Sequence, residues 1–358
     1  VRISHGGHFP AMRYRSSRTL VFHNDGDEFV ACNFLTKAVF ECSPDLLDFL
    51  GAVADWSDRA AIGEQAPGYS EDELDETLAA LVEMSALVVE GSNLEMREDA
   101  FRRHWKWGVP AALMHFCVQD PEYMSLNEAE DLQRAAFASD GEIELYSLNS
   151  GRVDVTALPE VLSGNSLLQL MAKRRTQRKG LAKAVSVPAL SEALFAGLGI
   201  TGTARNAVVT LPLSMTPSGG ARNPYEAYVF VKAVDGLAPG IYHYSAFEHS
   251  LAKISDASPL LADLVGGQEW ADTMPCMIVL VAHMDRTMWK YSDANAYRVV
   301  MIEAGHIGQN IMLSATARGM TACPTAALSH TMIGELIGLR NPAHAPIYAL
   351  TLGFPDAT

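Results

Sequence analysis

The run Met277-Ile278-Val279-Leu280-Val281-Ala282-His283 is apolar until its last residue, rich in β-branched side chains and too short for a buried helix, so it reads as an interior strand. Beyond it, Tyr297 to Ala317 carries apolar residues at helical spacing and reads as one long helix, and Ile347 to Gly353 returns to a strand. Upstream, Glu226 to Val234 reads as another strand, and Gly240 to Tyr244 with Ser250 to Ile254 as a hairpin. Strands with helices between them predict an α+β or α/β sheet domain.

The first hundred residues have a different character. They hold 7 basic and 19 acidic side chains, net −12 out of −15 for all 358 residues. Thr19 to Phe22 and Glu28 to Phe34 flank Asn24-Asp25-Gly26-Asp27, a hairpin signal, and Ala38 to Cys42 supplies a third short strand. Ser43-Pro44 opens a helix with Leu46, Leu47, Phe49, Leu50 and Val53 as its apolar face. Ser70 opens the next, with Glu73 completing a capping box and Leu74, Leu78, Leu81 and Val82 at helical spacing. Ala86 to Glu90 closes the set as a strand. Phe101 to Trp107 is amphipathic, Leu126 to Ala138 reads as a helix, and a Gly-Ser-Asn-rich stretch near 149 to 166 marks a boundary. The expected division is a module over 1–100, a helical connector over 101–165 and a larger domain over 166–358.

Composition narrows the function. With 49% hydrophobic and 19% charged residues this is ordinary globular protein. A net charge of −15 argues against a nucleic-acid partner held through its phosphates. The five cysteines are scattered with no Cys-x-x-Cys pair, so neither a disulfide framework nor a metal site is expected. No apolar run approaches the roughly 18 residues of a membrane span, and no export signal is visible, which together predict a reducing, cytoplasmic setting.

Several motifs carry chemistry only in company. Gly197-Leu198-Gly199-Ile200-Thr201-Gly202 matches Gly-x-Gly-x-x-Gly, but a helix (Ser191 to Ala196) enters it and a strand (Asn206 to Leu211) leaves it. That order is the reverse of a dinucleotide site and makes Gly197 an expected helix C-cap. Glu303-Ala304-Gly305-His306 has di-iron spacing but no second copy, so helix packing or hydrogen bonding is expected of it. Lys173-Arg174-Arg175-Thr176-Gln177-Arg178 is either a solvated helix end or a phosphate clamp of guanidinium forks and a hydroxyl. Thr216-Pro217-Ser218-Gly219-Gly220-Ala221 is either an ordinary turn or a close backbone approach to a ligand. Lys290-Tyr291 is either a surface pair or a base and acid.

Taken in order, Arg174-Arg175-Thr176-Gln177-Arg178, Pro217-Ser218-Gly219-Gly220-Ala221, Pro224-Tyr225-Glu226-Ala227-Tyr228-Val229-Phe230-Val231, Pro239-Gly240-Ile241-Tyr242-His243-Tyr244, Lys290-Tyr291, Tyr297-Arg298, Glu303 to Asn310 and Ala322-Cys323-Pro324 resemble the SagB-type branch of the nitroreductase superfamily. The likeness covers about residues 170 to 353, with Trp105-Lys106-Trp107-Gly108 and His115-Phe116 resembling that branch's leader segment. The first hundred residues resemble, in element order alone, the winged-helix-like peptide-recognition domains related to PqqD.

The resemblance implies an α+β fold, a nitroreductase-like mixed sheet flanked by helices, and FMN bound at a homodimer interface. It implies that Arg174, Arg175, Thr176 and Arg178 hold the flavin phosphate and ribityl chain. Pro217, Ser218, Gly219 and Asn223 would approach the flavin from the partner copy, and Pro324, Thr325, Ala326 and Ala327 would lie along its ring edge. Lys290 and Tyr291 would move the proton. Three positions depart from the pattern: Ala326-Ala327 for Gly-Gly, Asn223 for His, and Phe354 for a basic residue. The expected activity is oxidation of thiazoline or oxazoline rings in a peptide or carrier-protein-bound substrate, with oxygen as final acceptor and biosynthetic enzymes as partners. The rival readings are an NAD(P)H-dependent reductase of a small molecule and a non-catalytic scaffold subunit.

Overall fold

A computed structural model describes residues 12–65, 68–121, 125–141, 165–206 and 208–356. The chain groups into two compact units, Val1–Gln119 with Tyr291–Tyr297 and Asn341–Ala343, and the remainder. The boundary stretch expected near 149 to 166 lies, up to residue 164, outside the described residues.

The first unit contains β1 (Arg13–Ser16), β2 (Leu20–Asp25), β3 (Glu28–Asn33), β4 (Ala38–Glu41), α1 (Pro44–Ala52), β5 (Ser57–Asp58), α2 (Arg59–Gln65), α3 (Glu71–Glu83), β6 (Leu87–Val89), α4 (Asn93–His104) and α5 (Gly108–Cys117). β2, β3 and β4 form one antiparallel sheet, and β1 lies between β5 and β6 in another. The caps act as the sequence predicts: Ser43 accepts from the Leu46 amide, and Ser70 and Glu73 bond reciprocally. Phe49, Leu50, Val53, Ile62, Leu74, Leu78 and Leu81 pack into the core. A buried Arg15–Glu98 ion pair at 2.6 Å is sustained because Ser17, Thr19 and the Arg18 amide also donate to Glu98. Trp105, Trp107, His115 and Phe116 are buried in an aromatic cluster with Phe34, Phe101 and Tyr297. The Phe101–Trp107 stretch is therefore the end of α4 followed by extended chain.

The second unit runs α6 (Leu126–Asp140), α7 (Ser166–Lys173), β7 (Val185–Ser186), α8 (Val187–Leu198), β8 (Ile200–Arg205), β9 (Thr210–Ser214), β10 (Tyr225–Val231), β11 (Val234–Asp235), β12 (Gly240–Ser245), β13 (Ser250–Ser255), α9 (Leu261–Leu264), β14 (Cys276–His283), α10 (Met284–Met288), α11 (Ala296–Ala317), β15 (Thr321–Thr325), α12 (His330–Ile337) and β16 (His344–Gly353). Six strands pair antiparallel in the order β13-β12-β10-β14-β16-β15, while β7 and β11 pair in parallel. β14 is buried from Cys276 to Ala282, as its unbroken apolar run requires. Met277, Val279 and Val281 join Leu261, Leu264, Leu328 and Ile333 on one face. α11 packs tightly on β16, where a Cβ at Gly308 would sit 2.5 Å from Tyr348. The result is an α+β fold, a sheet flanked by helices. No described helix is long and apolar enough to cross a membrane.

Two local expectations are corrected. α8 continues through Gly197 to Leu198, and Gly199 takes the cap position; Gly197 is small because a Cβ there would lie 2.8 Å from Ile311 on α11. The strand expected over Asn206 to Leu211 is instead the turn and start of the β8–β9 hairpin, because the Asn206 side chain accepts from the Val208 and Val209 amides at 2.8 Å and folds the chain back.

Candidate active site

The basic run begins where α7 ends. Arg174 caps that helix, and Arg175, Thr176 and Arg178 continue in irregular chain that bends at Arg178. Arg174 and Thr176 are half-buried, with Arg174 Nη1 3.4 Å from Thr176 Oγ1; Arg175 and Arg178 are exposed. Arg15, Arg59, Arg286 and Arg318 each hold a carboxylate, but among the described residues none pairs with Arg174, Arg175 or Arg178. Arg18, Arg97, Arg103, Arg205, Arg222 and Arg340 also hold no carboxylate among the described residues, so what sets this run apart is that three such arginines stand together. Arg178 lies close enough to Cys323 for its charge to oppose the burial that pushes that thiol up. The run is thereby near the end of β15, where Pro324 and Thr325 are half-buried, Ala326 is exposed and Ala327 follows. Downstream, the Leu181 amide donates to the Phe354 carbonyl at 2.9 Å and Lys183 Nζ stands 4.0 Å over the Phe354 ring. A cation thus reaches the aromatic ring that replaces the expected basic residue.

The segment from Pro217 to Asn223 is locked in an unusual conformation. Ala221 and Asn223 have φ of 52° and 45°, a region that side chains disfavour. The strain is offset by many partners. Ser218 Oγ accepts from the Asn223 amide at 2.8 Å, Ser214 lies 2.8 Å from Asn223 Oδ1, and Arg286 donates to the Asn223 carbonyl at 3.1 Å. Glu303, buried on α11, accepts from the Gly219 amide at 3.3 Å and from the Ser218 hydroxyl. Gly219 is required here, since a Cβ would meet Val299 at 2.5 Å.

Behind this segment is a cavity of about 220 Å³, whose polar lining includes Thr216, Asn223, Glu226, His243, Arg286 and Glu303. Its two carboxyls have opposite surroundings. Burial pushes Glu303 up to about 7, because the Ser218 and Gly219 donors are neutral and only partly compensate. Glu226 is held down at about 2 by the hydrogen bond from His243 and the ion pair with Arg286. Sequence reading missed Glu226, His243 and Arg286; a charged residue inside the strand Tyr225 to Val231 was the available signal.

Lys290 follows α10 and is exposed; Tyr291 is half-exposed, and its carbonyl accepts from Trp107 Nε1 at 2.8 Å. Neither lines the cavity. Within one chain, no hydrogen bond or ion pair among the described residues joins Arg174–Arg178 to Pro217–Asn223. The donor set at Arg174 to Arg178 fits a phosphate: planar forks, a hydroxyl and no competing carboxylate.

The Nitroreductase family profile matches residues 171–354. MJ1384 of Methanocaldococcus jannaschii, a protein named for the nitroreductases, is 31% identical over 176 residues, 49% of this chain and 85% of that protein. Trifolitoxin-processing protein TfxB of Rhizobium leguminosarum bv. trifolii is 31% identical over 132 residues, 34% of this chain and 35% of its own length. The chain therefore spans about a third of TfxB. A solved nitroreductase-type structure from Anabaena variabilis superposes with TM-score 0.44 at 24% identity, covering 53% of this chain and 38% of that one.

Proposed function

Because the chain belongs to the Nitroreductase family of oxidoreductases, we propose that it is an FMN-dependent dehydrogenase acting on a thiazoline or oxazoline ring of a peptide or carrier-bound substrate. The observation that carries this reading is the cluster Arg174, Arg175 and Arg178, beside β15 and without a carboxylate partner among the described residues. These arginines and Thr176 hold the phosphate, and Lys183 adds a cation beside Phe354. Pro324 to Ala327 offer a small-side-chain edge to the ring. Pro217, Ser218, Gly219 and Asn223 present a rigid backbone to the flavin of a second copy.

The homodimer this requires is supported by the β8–β9 hairpin, which leaves Val208, Leu213 and Met215 at 76%, 46% and 46% exposure. A two-stranded hairpin is marginal without a further surface to cover it.

Aromatising an azoline removes a proton from one ring carbon and a hydride from its neighbour. Bound FMN supplies the two-electron acceptor that side chains lack, with oxygen as its final oxidant. Lys290 and Tyr291 take and hold the proton. Residues 1–100 form a winged-helix-like module that positions the substrate or a partner enzyme, residues 101–165 connect it, and residues 166–358 carry the chemistry. The name of TfxB supports a processing role in biosynthesis.

The test is the visible spectrum of the purified full chain, followed by oxygen uptake with a thiazoline-containing peptide. Flavin bands and peptide-dependent uptake support the reading, and a colourless protein that takes up no FMN refutes it. The match to MJ1384 over 85% of that protein favours a second reading, a small-molecule reductase. Rapid bleaching of the flavin by NADPH without peptide would select it.

A further inference from the structure

Beside Glu226, which lines the cavity, three side chains converge: His283, Asp285 and His344. His283, the last residue of β14, pairs in register with His344, the first of β16, and their rings stack with centroids 3.8 Å apart. Asp285 follows two residues later and places both carboxylate oxygens 3.2 Å from His344 Nε2. One ligating atom from each of the three lies within 4.8 Å of the others, the only such meeting of three among the described residues.

Two features distinguish this trio from an ordinary Asp–His hydrogen bond. Nε2 of His283 is buried with no hydrogen-bond partner, a condition that costs free energy and calls for a missing occupant. The neighbouring positive charge is also neutralised: Arg286 is ion-paired to Glu226, whose Oε2 stands 4.0 Å from His283 Nε2.

We propose that His283, Asp285 and His344 bind a divalent first-row transition metal of the zinc class, with water completing the coordination. Ligand atoms roughly 2.0–2.2 Å from one tetrahedral ion stand about 3.3–3.6 Å apart. The Asp285 oxygens and His344 Nε2 already stand 3.2 Å apart, and the three ligating atoms lie within 4.8 Å of one another. Two imidazoles select zinc, cobalt or nickel over magnesium or calcium, which take oxygen ligands. The ion would clamp the start of β16 to the end of β14 and fix the turn that delivers Arg286 to the cavity.

The test uses the full chain, freed of metal by chelation and dialysis, then titrated with Zn(II), Co(II) and Mg(II). One equivalent of zinc or cobalt binds per chain, magnesium does not compete, and zinc raises the melting temperature. Asp285→Asn and His344→Gln each weaken binding by more than the roughly 10- to 100-fold that loss of an outer-shell partner produces. Absence of binding, or binding that persists in the double variant, overturns the proposal. The wild-type cobalt spectrum decides independently of whether the variants fold: imidazole ligation supports the site, and oxygen-only ligation refutes it.

Discussion

Glu303 offers the sharpest test of the packing around Ser218 and Gly219. Its carboxyl is 5% exposed and titrates near 7 in place of 4.5. At about 1.4 kcal/mol per pH unit, ionising it inside the fold costs about 3 kcal/mol. Between pH 4.5 and 7 the folded chain keeps a proton that the unfolded chain has released, so this residue's contribution to stability is complete below 4.5 and lost as pH rises through 7. Glu303→Gln keeps the carbonyl that accepts from Gly219 and cannot ionise. The variant should match the wild type near pH 4.5 and exceed it by about 3 kcal/mol above pH 8, which for 358 residues is roughly 4 °C in melting temperature. His283, held at about 4, has the opposite sign: its contribution is present above 6.5 and lost as pH falls through 4. It is common to both proteins and cancels in their difference. Melting curves of the two proteins from pH 4.5 to 8.5 provide the assay. A difference that stays flat with pH, or a variant less stable at pH 8, would mean that the Ser218 and Gly219 donors outweigh burial, and the reasoning fails.

Three further outcomes follow from the site. Arg174→Gln should weaken FMN binding about 10- to 100-fold, since a hydrogen bond to a charged group contributes roughly 1.5–3 kcal/mol; unchanged affinity in a fluorescence titration would remove Arg174 from the phosphate site. Lys290→Ala and Tyr291→Phe should each lower turnover about 10²- to 10⁴-fold with flavin content intact, and a loss of flavin in either would reassign the pair to binding. Gly219→Ala places a Cβ 2.5 Å from Val299; it should destabilise by about 1–3 kcal/mol, with Val299→Ala restoring much of the loss in urea titrations.

How much of this was legible in the sequence depends on how far away each residue's reason lies. Ser43, Ser70 and Glu73 act on amides three residues off, and Asn24 to Asp27 turn between adjacent strands, so local spacing suffices to read them. Gly197 was read locally as a cap, whereas its true constraint is Ile311 on another helix. Glu303 was read for helix packing or hydrogen bonding, which its bonds to Ser218 and Gly219 match, but spacing could not name a partner 84 positions away. His283, Asp285 and His344 meet only through the pairing of β14 with β16. The arginine run was visible as charge, but its lack of acidic partners is a property of space.

The cavity completes the electrostatic argument. Glu226 meets donors that stabilise its anion, His243 and Arg286, and the charge of that carboxylate is balanced where it sits. Glu303 meets only neutral donors and resists ionising. Neither carboxyl therefore leaves a bare negative charge behind the Pro217–Asn223 segment below about neutral pH, although the chain as a whole carries −15. Coulomb repulsion from the remaining surface acids decays over about 8 Å at physiological salt, whereas a phosphate in contact with guanidinium is barely screened. A strongly acidic protein can thus hold an anionic cofactor, provided that a few arginines escape pairing with its own carboxylates, as Arg174, Arg175 and Arg178 do among the described residues.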